Sequence, residues 1–127
     1  MARAPAANKP AKYSVLQMAL PGESPRNIGV FLLDTTNGRL YKKLRRDWSA
    51  IADRKNTEIL ELLDDDFAVK IDEMGGDAFL RSLEDTLSNF LLIEKQRDVN
   101  VLSNFETALN RLFETHVQRT EVIQYPQ

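Results

Sequence analysis

The sequence predicts an α+β domain, an antiparallel sheet of three to four strands with about three helices packed on one face. Three observations carry that prediction. Apolar runs between Lys12 and Leu44 are separated by two turn-rich stretches, Pro21 to Pro25 and Thr35 to Gly38. From Thr57 onward the apolar residues instead recur at helical spacing. Strand-like segments therefore come first and helix-like segments later, which is the order of a layered α+β fold and not of alternating βαβ units.

Lys12 to Leu20 reads as the first strand, with Tyr13, Val15 and Ala19 opposed to Leu16, Met18 and Leu20. Arg26 to Asp34 is the second. Ile28, Val30 and Leu32 occupy one parity, Phe31 and Leu33 the other, and a strand apolar on both faces belongs in the middle of a sheet. Gly29 within it marks a bulge or a close backbone approach. Asn37-Gly38 tolerates the positive φ of a hairpin turn and leads into a third strand, Arg39 to Leu44. There Leu40 and Leu44 point inward while Arg39, Tyr41, Lys43 and Arg45 point outward. That is the pattern of a half-exposed edge strand whose lysines discourage unwanted pairing.

Asp47 is placed to cap a short helical turn through Trp48, Ile51 and Ala52. Thr57 opens the clearest helix, with Leu60, Leu63, Phe67, Ile71 and Met74 along one stripe. Gly75-Gly76 ends it, and Asp77 caps a second helix burying Phe79, Leu80, Leu83 and Leu87. Phe90 to Ile93 is a short apolar run read as a buried strand. Val99 and Val101 either extend that pairing or line a loop. Ser103-Asn104-Phe105-Glu106 has the form of a capping box, with Ser103 as the cap of a last helix burying Phe105, Leu109, Leu112 and Phe113. Residues 13–118 are then one domain, between a disordered tail over 1–12 and a second tail over 119–127.

Composition narrows the function classes. A chain of 127 residues suffices for one core, and the absence of cysteine removes disulfides and thiolate metal sites. That usage fits a cytoplasmic protein. No apolar run is long enough to cross a bilayer, so no membrane partner is expected. The net charge of −2 conceals a segregation. Arg39, Lys42, Lys43, Arg45 and Arg46 lie together without an acid, whereas Glu58 to Glu73 holds seven acids against Lys70 alone. Such a dipolar molecule favours oriented docking or self-association.

The opening block has a further property. Tyr13-Ser14-Val15-Leu16-Gln17, a Pro-containing turn, Asn27-Ile28-Gly29-Val30-Phe31 and a closing helix over Phe105 to Val117 resemble an uncharacterised bacterial family, domain of unknown function 3037. Ser24-Pro25-Arg26 stands where that family usually has an acidic residue before the Asn. The resemblance implies the α+β fold and a cytoplasmic bacterial setting. It implies no activity.

Four candidate sites follow. Arg39, Tyr41, Lys43 and Arg45 on one strand face, continued by Arg46 and Trp48, form a cationic patch with aromatics. A patch of this kind suits a protein partner with an acidic surface or, alternatively, phosphates and bases of a nucleic acid. Leu62 and Val69 lie seven residues apart on the side of the first long helix opposite its apolar stripe, as a seam for a partner or a second copy in a homodimer. Arg26, Asn27 and His116 around the Gly29 kink are the only residues from which an enzyme reading starts, because His116 is the sole imidazole. Asp64-Asp65-Asp66 diverge by about 100° per residue on a helix and cannot converge on one ion, so neither metal nor cofactor is expected. The leading expectation is a non-catalytic protein-interaction module docking through the basic strand edge.

Overall fold

The computed structural model describes residues 9–20, 22–50, 54–85 and 91–118. The sheet is antiparallel throughout. Strands β1 (Lys9–Met18), β2 (Arg26–Asp34) and β3 (Arg39–Leu44) form a meander with β2 in the middle. Strands β4 (Leu91–Ile93) and β5 (Arg97–Val101) follow one another along the other edge of β1. Ile93 lies opposite Leu16 and Arg97 opposite Tyr13, so residues 94–96 face only Ser14 and Val15. One extra residue is therefore accommodated in a bulge, held where the Glu94 N–H donates to the Val15 carbonyl at 3.0 Å. Among the described residues the five strands occupy four lanes, and Val99 and Val101 do extend the pairing. Residues 9–11, read from the sequence as tail, are part of β1, with Lys9 opposite Val101 and Ala11 opposite Val99.

A second irregularity sits in β2. Leu16 pairs with Gly29 and Gln17 with Asn27, which leaves Ile28 as the inserted residue. The insertion swings Ile28 onto the face of Phe31 and Leu33 and leaves Val30 and Leu32 on the other. Gly29 is required beside it, because a Cβ there would stand 3.0 Å from the Lys43 carbonyl oxygen.

Helices cover both faces of the sheet, not one. Helices α1 (Arg54–Glu61), α2 (Leu63–Met74) and α3 (Gly76–Asp85) roof the Phe31/Leu33 face. Helix α4 (Phe105–Phe113) and the π-type turn Glu114–Gln118 close the Val30/Leu32 face. The reason is the two-sided β2. Leaving Val30 and Leu32 in water would forfeit roughly 1.5–3 kcal/mol for each side chain. Leu109, Phe113 and Val117 come from α4 and its extension to bury them.

Local boundaries differ in instructive ways. The first long helix is already formed at Arg54, upstream of Thr57, and is divided at Leu62 into α1 and α2. Gly75 ends α2 at φ +88°, as its residue type foretells, with its N–H on the Ile71 carbonyl at 2.8 Å. Gly76 already belongs to α3, so Asp77 lies inside the first turn and is not its cap. The cap of α4 is Asn104 and not Ser103. Asn104 is extended (φ −84°, ψ 164°), and its side chain accepts the Thr107 N–H at 2.7 Å. At the hairpin, the buried Asp34 carboxylate accepts from the Thr36 N–H, the Asn37 N–H and the Asn37 side chain. Burial pushes its pKa up, but those hydrogen bonds and the charge of Lys9 hold it below the ordinary carboxylate value. The expectations for Ile51, Ala52, Leu87, Phe90 and the two chain ends from 1–8 and 119–127 lie outside the described residues.

Candidate functional site

Strand β3 alternates as its sequence demands, but what lies outside it is α4. Tyr41 stacks on Phe105 with ring centroids 5.1 Å apart and planes within 4°. The Arg39 guanidinium stands 5.1 Å from the Tyr41 ring, and the Lys9 ammonium 5.7 Å from the Phe105 ring. Lys9 also donates to the Ser103 carbonyl at 3.0 Å. Lys43 donates to the Asn110 side-chain oxygen at 2.8 Å and lies 5.0 Å from the centre of the Phe113 ring. The cations and the tyrosine thus serve as the margin of the second core, each cation–π contact worth about 0.5–1 kcal/mol where solvent reaches it. Bases cannot stack on Tyr41 at this face without displacing Phe105.

The remaining members of the patch separate. Arg45 is buried, 9% exposed, and grips Asp47 with both ends of its guanidinium, Nε at 2.8 Å and Nη2 at 2.5 Å. Those hydrogen bonds, reinforced by the charges of Arg45 and Arg26, hold the Asp47 carboxyl below the ordinary range although burial pushes it up. Trp48, 5% exposed, belongs to the core under α1–α3. Arg39 and Arg46 remain exposed. Arg46 lines a groove of about 510 Å³ together with Lys42, Lys43, Asp64, Glu106 and Asn110. Within it Lys42 is ion-paired with Asp64. The basic strand and the acidic helix, separate in the sequence, are therefore cross-linked, and part of the dipole is neutralised internally. The signal for that pair was the parity of Lys42, which it shares with Leu40 and Leu44 and which directs it toward α2.

Asn27 and His116 do meet, through the backbone. The Asn27 side chain donates to the His116 carbonyl at 2.7 Å and accepts from Gln17 at 2.8 Å, which clips the end of the α4 segment to the sheet. The imidazole lies against Tyr13, ring centroids 5.3 Å apart. Burial pushes its pKa below the ordinary histidine value, Glu94 opposing and Arg97 adding to that shift. Arg26, half-buried at the start of β2, interacts with the charge of Asp47. Among the described residues no group of three or more His, Asp or Glu side chains could hold a metal ion. Among them, too, no helix is long and apolar enough to cross a membrane.

On the outer surface of the helix layer the arrangement is different. Leu62 is 61% exposed and Val69 57%, and Ile59 joins them one turn earlier. Leu62 keeps helical backbone angles (φ −88°, ψ −10°). Its N–H donates to the Ile59 carbonyl, and its own carbonyl accepts from the Asp66 N–H. The helical path consequently runs on from α1 into α2, with Leu62 and Val69 on one outward stripe. Glu58, Glu61, Asp65, Asp66, Asp72 and Glu73 are all exposed around it. The place of Ile59 three residues before Leu62 is the sequence signal that puts it on this stripe.

No protein-family model, no curated protein and no solved structure matches the chain.

Proposed function

We propose that the protein is a non-catalytic interaction module that docks a protein partner through the outward face of α1–α2. The observation that carries this reading is the exposed stripe of Ile59, Leu62 and Val69. Large side chains held in water on the rim of a well-packed helix layer gain by being covered, and aligned ones can be covered by a single partner element. The basic strand edge contributes less to docking than its composition suggests, because Tyr41 and Lys43 are engaged by α4 and Lys42 by Asp64. Arg39 and Arg46 remain available as peripheral contacts. The likeness to domain of unknown function 3037 and the bacterial cytoplasmic setting it implies belong to the same reading and add no chemistry to it.

The test is a native affinity purification of the wild-type chain beside a Leu62→Lys/Val69→Lys variant. Both positions are exposed, so the variant keeps the thermal stability of the wild type while losing the partner. Retention of the same partners by a folded variant disproves the reading. A second reading, phosphate or nucleic-acid binding, is favoured by the convergence of Lys42, Lys43 and Arg46 on one groove and opposed by Asp64 and Glu106 in its wall. It requires oligonucleotide affinity that falls steeply as salt rises.

A further inference from the structure

The charges around the docking stripe say what sort of partner fits it. Resting on the proposal that α1–α2 docks a protein, we infer that the occupant is a cationic amphipathic helix of another protein and not a second copy of this chain. Ile59, Leu62, Asp66, Val69 and Glu73 follow one another at intervals of three, four, three and four residues. That is the seam spacing of a two-helix contact, with Ile59, Asp66 and Glu73 at one set of seam positions and Leu62 and Val69 at the other. Glu58, Asp65 and Asp72 each immediately precede a seam position of the first set, so they form a single acidic flank repeating every seven residues. All three are exposed, as are Asp66 and Glu73.

A second copy meets this surface badly in either direction. Packed parallel, it would gain two symmetry-related Asp65–Lys70 pairs but set Asp66 against Asp66 and Glu73 against Glu73 in a partly dehydrated seam. Packed antiparallel, it would align the Glu58, Asp65 and Asp72 rows with each other. Like charges so placed cost energy, and natural helix pairs use that cost to choose partners. A foreign helix with leucines on its apolar face and lysine or arginine beside them removes these like-charge contacts, setting cations against Glu58, Asp65 and Asp72 and within reach of Asp66 and Glu73. Its aliphatic stems would also cover Leu62 and Val69.

The experiment uses the full chain and two 21-residue peptides, both with leucine at the seam positions, one with lysine and the other with glutamate at the flanks. The lysine peptide should bind, more weakly as salt rises, and the glutamate peptide should not. Asp66→Lys/Glu73→Lys should weaken the lysine peptide by roughly tenfold or more and let the glutamate peptide bind. Binding of both peptides alike, or of neither, overturns the inference. So does a wild-type homodimer in sedimentation that Leu62→Lys/Val69→Lys dissociates, which would leave the docking face intact with the wrong occupant. In affinity purification, loss of partners in Leu62→Lys/Val69→Lys but full retention in Asp66→Lys/Glu73→Lys refutes the charge rule alone. Retention in both refutes the docking face itself.

Discussion

Under α1–α3 the sheet is closed by a core of aromatic and aliphatic groups, whereas under α4 it is closed by a smaller apolar cluster hemmed with cations. The first face centres on Phe31, Phe67 and Phe79, whose ring centroids are 5.3–5.7 Å apart in tilted and edge-on pairs. The second holds Val30, Leu32, Leu109 and Phe113, with Lys43 over the Phe113 ring, and beside them Tyr41 carries Arg39 and Phe105 carries Lys9. A single helix cannot span a whole sheet face. Long cationic side chains extend its cover, lying along apolar surface while their charged ends stay wet. A row of basic residues with an aromatic can thus be the hem of a core as readily as a binding patch.

The comparison can be broken by deleting one phenylalanine from each face. Phe79→Ala should cost about 3–5 kcal/mol, because its ring is enclosed by two others. Phe113→Ala should cost about 3 kcal/mol, since a wet margin lets the surroundings collapse or hydrate. Chemical denaturation of both variants measures the difference, and a larger loss for Phe113→Ala would reverse the ranking of the faces. Gly76→Ala probes the tightest point of the first face. The new Cβ would lie 2.6 Å from the Leu40 Cβ and 3.1 Å from its backbone nitrogen. A loss of about 1–3 kcal/mol by the same measurement is expected from forcing α3 off β3.

Smaller effects sharpen the second face. Lys43→Met keeps a long apolar stem and removes the charge, so it should cost no more than about 1 kcal/mol by denaturation. Lys43→Asp should cost more, because it replaces a cation over the Phe113 ring by a carboxylate that the negative ring face repels. The smallest expected effect is a pH dependence confined to this face. His116 is held below its ordinary pKa in the folded chain. The unfolded chain therefore takes up the proton first as pH falls, and stability present above the ordinary histidine value declines as pH drops through it. The melting temperature should fall between about pH 7.5 and 5.5 in the wild type and fall less in His116→Gln. Equal slopes in the two proteins would remove His116 from the account.

The strands and turns were legible because they rest on short-range chemistry. Asn37-Gly38 and Gly75 sit at turns where Gly38 and Gly75 take positive φ, and the apolar alternation of β2 names it as central. Helices on one face only were expected, although Val30 and Leu32 opposite Phe31 and Leu33 on β2 already required cover on two sides. What no local pattern carried was which segment supplies each cover. The Ile28 bulge, decided by how β1 and β2 register, reassigns one residue between faces. Asn104 displaces Ser103 as cap by one residue, since Asn104 is the residue with extended backbone whose side chain meets the Thr107 N–H.

The candidate sites divide along that line as well. Leu62 and Val69 were identifiable from spacing alone, because a helix has one core side and they lie on the other. The fate of Tyr41 and Lys43 was not, because outward from a strand means toward whatever the chain later brings there; the parity of Lys42 named the helix layer but not Asp64 as its partner. By itself the sequence determined the kind and order of the main elements, the course of the meander and the acidic, apolar stripe on α1–α2, all consequences of periodicity and of residues near one another in the chain. Tertiary structure decided that α4 would lie across β3 and that Asp64 would take Lys42. Those contacts join segments 22 to 67 residues apart, and over such distances only the packing of the whole domain selects which groups meet.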